Sequence, residues 1–148
     1  MIHSYFEEIS VGDRNTTPAR TITETDVVNF ASLSGDWFPL HTDASYAEST
    51  FYGERIAHGM LVLSVVTGLI TLTPGAVQAF HGIENLRFSR PTFIGDTIHA
   101  ETEVTDARDR GEKGLVTSAL TVKNQRGETV VTADFRWLVA RGKTAPDA

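Results

Sequence analysis

Between Thr23 and Gly35 apolar residues recur at helical spacing, through Val27, Val28, Phe30, Ala31 and Leu33. Thr23 followed by Asp26 is a capping pattern, and Gly35 is a helix exit, so the stretch predicts one short helix. Pro39 then pushes Phe38 toward an extended conformation, and Asp36 and His41 are expected on a stiff loop rather than on one helix face. Asp43 caps a second short helix through DASYAEST. A longer helix is predicted to start near His58 and Gly59 and to stop before Pro74; it is apolar on nearly every side and must be enclosed. Gly68 in its middle costs about 1 kcal/mol against alanine, which points to close packing there. Downstream the period changes to two: Ile98, Ala100, Thr102 and Val104 alternate with polar neighbours, as do Val131, Ala133, Phe135, Trp137 and Val139. LVTSALTVK is a further strand ending at the turn Asn124–Gly127, and FHGIENLRFSRP another, closed by Pro91. Helices early and about five strands late predict an α+β domain, an antiparallel sheet curled round one long central helix.

No Gly/Ser linker, charge block or repeat divides the chain, so 1–148 is expected to form one domain, with the end of RGKTAPDA, about residues 142–148, frayed. With 41% hydrophobic and 22% charged residues the composition is that of an ordinary globular protein. The balance of 13 basic against 19 acidic side chains argues against nucleic acid and anionic membrane surfaces as partners. The absence of cysteine excludes disulfides, thiol nucleophiles and cysteine zinc sites, and fits a cytoplasmic protein. MIHSYFEEIS lacks the basic start and apolar core of a signal peptide, and the apolar run Gly59–Leu72 is shorter than the roughly 20 residues that span a bilayer.

The chemistry concentrates in LSGDWFPLHTD, where Asp36, His41 and Asp43 surround the bulky run Trp37, Phe38, Pro39 and Leu40. A carboxylate and an imidazole held close can fix a water and shuttle its proton; alternatively Asp36 caps a turn and His41 is a hydrogen-bonded core residue. His99, Glu101 and Glu103 have metal-ligand chemistry, yet at strand spacing they share one face, the usual pattern of a solvated surface, and no metal is expected.

FASLSGDWFPLHTD, RIAHGMLVLSVVTGL and NLRFSRPTFIGDTI, with the opening YFEEISVGD, together resemble the MaoC-like dehydratases, a family that includes the R-specific enoyl-CoA hydratases. The likeness runs over nearly the whole chain. It implies a hot-dog fold with the sheet as bun and the long helix as sausage, and chains that pair as homodimers or larger homo-oligomers. The family's catalytic aspartate falls on Asp36, its histidine on His41, and the glycine whose N–H receives the thioester oxygen on Gly59; His58 before it is expected among the substrate contacts. A helix's first turn, with unpaired N–H groups, suits such an oxyanion. One position departs: many members carry asparagine where this chain has Phe38, so the difference is expected in substrate choice. Ser64 and Thr67 either line the acyl pocket or bond back to their own helix. Arg87 and Arg90 either hold the phosphates of coenzyme A or are ordinary surface arginines.

The resemblance implies a hydro-lyase that interconverts a trans-2-enoyl and a (3R)-3-hydroxyacyl thioester. No cofactor is expected; coenzyme A or an acyl carrier protein enters as part of the substrate. The alternatives are a hot-dog thioesterase, which would release free thiol, and a non-catalytic subunit of a heteromeric dehydratase.

Overall fold

The computed structural model describes residues 4–142. Its order is β1 (Arg14–Thr16), β2 (Arg20–Thr21), α1 (Glu24–Ser34), α2 (Pro39–Thr42), α3 (Ala44–Glu48), α4 (Gly59–Leu69), β3 (Val77–Phe88), β4 (Thr97–Asp109), β5 (Lys113–Lys123) and β6 (Thr129–Ala140). The antiparallel sheet runs β1-β4-β5-β6-β3, with β2 also paired to β4. β4 and β6 are the strands read from period-two alternation, and β3 and β5 those placed by Pro91 and the Asn124–Gly127 turn; β1 and β2, of three and two residues, are too short to show a period and bring the total to six. Register shifts between Val77/Ala79, Phe80/Gly82 and Glu84/Arg87 let β3 bend with the sheet.

The sheet curls round α4, which is the hot-dog arrangement of the α+β class. Leu61, Val62, Val65 and Val66 of α4 share one core with Ile98, Val116, Leu120, Val122, Phe135 and Val139 from the strands. Each such side chain contributes on the order of 1.5–3 kcal/mol through burial, which makes the helix and sheet mutually dependent. The enclosure of α4 is incomplete. Met60, Ser64 and Gly68, four residues apart, form an outward stripe, and Met60 is 52% exposed. Among the described residues a Cβ added at Gly68 would meet nothing within 4 Å, so the close packing expected there is not found; it occurs at Gly59 instead. No helix among the described residues is long and apolar enough to cross a membrane.

Two local features aim the chain at the site. The Thr23 hydroxyl and Asp26 carboxylate form a reciprocal capping box at the start of α1, and Gly35 ends the helix at φ 77°, a left-handed conformation glycine adopts without strain. Asp36 is therefore delivered directly after the helix exit. The segment before α4 is tied to the β3–β4 loop by Ala57 N–H donating to Thr92 O at 2.8 Å. That loop is anchored by buried Asp96: burial raises its carboxyl, but bonds from Gln125, Arg126 and the Phe93 N–H prevail and hold it below the usual carboxylate range. At the C-terminal end Arg141 is not frayed; it donates to Gly111 O and Glu7 and packs over Phe6, and Gly142 N–H donates to Glu7. The rest of the expected frayed tail, 143–148, lies outside the described residues.

Candidate active site

Pro39 occupies the first position of α2, where its missing N–H costs nothing, and Phe38 before it is extended at φ −54°, ψ 131°. His41 thus sits in a one-turn helix rather than on the expected loop, held there by its N–H donating to Phe38 O at 2.9 Å. Asp36 lies outside that helix, as Pro39 requires. Its Oδ1 accepts the Phe38 N–H at 3.2 Å, a turn-forming bond of the kind short acidic side chains make, and its exposed carboxylate retains acceptor capacity.

His41 Nδ1 lies 2.7 Å from Ile56 O. A carbonyl only accepts, so Nδ1 carries the proton and the lone pair is on Nε2. His41 titrates below its ordinary value of 6.5 because burial disfavours the charged ring and neighbouring His58 adds to this, against the Ile56 bond and the Asp36 charge. His41 is therefore a neutral imidazole near pH 7, with a free acceptor beside a carboxylate.

His58, the residue ahead of α4, is 2% exposed. Its Nε2–H donates to the main-chain oxygen of Asp36 at 2.9 Å, its ring stacks on His41 with centroids 3.9 Å apart, and Phe30 packs on it at 5.0 Å. One ligand-type atom from each of Asp36, His41 and His58 lies within 4.8 Å of the others. Two hydrogen bonds of about 2.8 Å reach across such a gap, so one water can bridge Asp36 and His41. Of the ring nitrogens, His41 Nδ1 and His58 Nε2 are already engaged with Ile56 O and Asp36 O.

Gly59 opens α4, where first-turn N–H groups have no partner within the helix. A Cβ there would come within 2.8–2.9 Å of three ring atoms of Phe88. In this chain the glycine is thus required by an aromatic ring lying against it. Gly59, Phe88, Asp36, His41 and His58 line one cavity of about 280 Å³, whose other walls include Tyr52, Ile56, Met60, Val62 and Val131. Asp36, His41, His58, Tyr52, Arg90 and Thr92 bring polar groups to a cavity whose other lining residues are apolar.

Arg90 also lines this cavity, but Arg87 does not; its guanidinium donates to Leu86 O. Ser64 and Thr67 lie outside it as well, their hydroxyls donating to Met60 O and Ser64 O of their own helix. Phe38 is 51% exposed and sits behind the site, edge-on to His41 at 6.2 Å and to Tyr46 at 6.1 Å. Tyr52, Phe88 and the Ile56 carbonyl were not singled out from sequence. The carbonyl leaves no trace in a residue type, whereas a glycine and an aromatic each in a family-like motif were a usable signal for the Gly59–Phe88 contact. On β4, Glu103 pairs with Arg14, and Glu101 with Lys123, so these groups serve the surface.

Residues 8–126 match the family model described as MaoC like domain. The chain belongs to the MaoC-like family. The chain is 38% identical over 146 residues to an (R)-specific enoyl-CoA hydratase of Rhodospirillum rubrum, covering 96% of each. It is 39% identical over 134 residues to Protein MaoC of Klebsiella aerogenes, matching 90% of this chain but only 40% of that longer protein. Among solved structures, an Archaeoglobus monoamine oxidase regulatory protein superposes with a TM-score of 0.90 at 46% identity, over 95% of this chain and 96% of that one. As a MaoC-like protein of the hydratase and dehydratase type, the chain is an enzyme of the hydro-lyase class.

Proposed function

We propose that this MaoC-like enzyme reversibly hydrates a trans-2-enoyl thioester to the (3R)-3-hydroxyacyl thioester, with coenzyme A or an acyl carrier protein as the thiol carrier and no resident cofactor. The observation that carries the reading is the Asp36 carboxylate within single-water reach of a neutral His41, beside the N-terminus of α4, in a cavity lined mainly by apolar residues. The water oxygen bonds to C3 while the Asp36/His41 pair takes one of its protons. The π electrons move toward the thioester, whose oxygen gains charge facing the Gly59 N–H, and the proton held by the pair is then delivered to C2. Atoms balance with one water consumed. The R configuration rests on the relatives named (R)-specific. A homodimer in the cytoplasm completes the proposal: β3 stands at the end of the sheet, with β6 as its one partner strand among the described residues, and Leu33, Trp37 and Phe51 are exposed.

Loss of the conjugated double bond, followed spectrophotometrically over enoyl-CoAs of increasing length, with chiral analysis of the product, tests the reaction. Free thiol released without hydration would instead establish a thioesterase, and inertness toward every enoyl thioester would remove the proposal.

Because His41 is held below its ordinary value of 6.5, the base stays unprotonated to lower pH, and the acid limb of kcat/KM falls below pH 6.5; a limb at or above that value would contradict the neutral-base assignment. The Phe38 side chain touches the site through the His41 ring and its N–H bond to Asp36 survives substitution, so Phe38→Asn is expected to change turnover several-fold while leaving the order of preference among acyl chains unaltered. Competition assays with mixed chain lengths would reveal the opposite.

A further inference from the structure

We infer that His58 is a positioning residue that holds both proton-transfer groups from one buried side chain. The inference rests on the hydration reading above. The resemblance puts His58 among the expected substrate contacts. Its bonding has a different object: Nε2–H reaches the main-chain oxygen of Asp36, and the ring face covers the ring of His41. His58 is also the residue ahead of α4, so the same side chain relates Asp36 and His41 to the Gly59 N–H. Three groups that must act on one substrate come from separate segments, and His58 is where those segments meet.

The other ring nitrogen supports a role beyond filling space. Asp36 O can only accept, which leaves Nδ1 as the acceptor of the uncharged tautomer, and that atom is buried with no partner among the described residues. Buried polar atoms are normally bonded, and an apolar side chain would fill the place without an orphaned lone pair. Packing therefore does not by itself account for histidine here. The bond to Asp36 and the stack on His41 do. The titratable and charged groups facing His41 are Asp36 from the α1–α2 segment, His58 from the start of α4, and Tyr52 and Arg90 around the cavity. Of these, His58 opposes protonation of His41 and Asp36 favours it.

His58→Phe keeps an aromatic face but loses the donor; His58→Gln keeps a donor able to reach Asp36 O but loses the ring. The whole protein is assayed with crotonyl-CoA, thermal unfolding is followed in parallel, and the His41 imidazole is titrated by NMR, a readout independent of activity. His58→Phe is expected to lower kcat by about 10- to 100-fold with KM within about threefold, the size of effect that small misplacement of reacting groups produces. His58→Gln is expected to recover kcat to within about fivefold of the natural protein, and the His41 midpoint to move to higher pH. Equal kcat in His58→Phe and the natural protein, a loss confined to KM, or equal losses in both variants would overturn the inference. Should His58→Phe fail to fold, the His58→Gln titration decides: a raised His41 midpoint supports it and an unmoved one overturns it. Absence of hydration by the natural protein would refute the proposed reaction instead, leaving the NMR measurement to judge His58.

Discussion

Asp36→Asn and His41→Ala each lower turnover on an enoyl thioester by about 10² to 10⁴, the usual worth of a positioned proton-transfer group, and the double variant is little worse than either single one. The non-additivity is the sharper part. Asp36 and His41 lie within reach of one water, and once either is lost that water is no longer both held and deprotonated. Asp36 is exposed, and asparagine retains an oxygen for the Phe38 N–H, so Asp36→Asn leaves the fold intact. His41→Ala orphans Ile56 O and unstacks His58, so a lower melting temperature accompanies its kinetic loss. Steady-state rates of the three folded variants check this; losses that multiply in the double variant would show two independent groups, and full activity in both singles would remove the mechanism.

The second large effect is at Gly59. Gly59→Ala drives a methyl into the Phe88 ring, which has to move, and both residues wall the cavity. A destabilisation of about 1–3 kcal/mol is expected from the overpacking, together with reduced kcat/KM. Phe88→Ala in the same chain restores most of the stability, a pairing that denaturant unfolding of the four proteins measures. Gly59→Pro then separates the donor from the clash. Both substitutions carry a Cβ, but only proline removes the N–H, and His58 at φ −57°, ψ 134° already has the backbone a following proline requires. Proline is expected to cost roughly 10² to 10³ in turnover beyond alanine, the value of one oxyanion donor. Equal rates in the two variants would mean the thioester oxygen is held elsewhere.

Elements whose signals are local were legible in the chain: the capping box at Thr23 and Asp26, the exit at Gly35, the Asp43 cap, whose side chain accepts the Tyr46 N–H, and the alternation along β4 and β6. Each depends on residues a few positions apart, so composition and spacing suffice. Asp36, His41 and Gly59 were legible by resemblance, with local chemistry leaving a turn cap and a core histidine as alternatives. The structure makes these readings compatible, since Asp36 does hold a turn and His41 is hydrogen-bonded within the fold while both face the cavity.

What only tertiary structure decided depends on segments distant in sequence. Which glycine of α4 is packed against turned on Phe88 at the end of β3, and the answer was Gly59, with Gly68 left on the outward stripe. Which polar groups face the cavity turned on how α4 is rotated in the sheet; Ser64 and Thr67 fall outside the lining and satisfy themselves on their own helix. The tautomer of His41 follows from a backbone carbonyl at Ile56, and the role of His58 from the main-chain oxygen of Asp36. Backbone carbonyls are identical in every residue, so no sequence pattern marks the ones that matter; only the path of the folded chain brings them within hydrogen-bond reach.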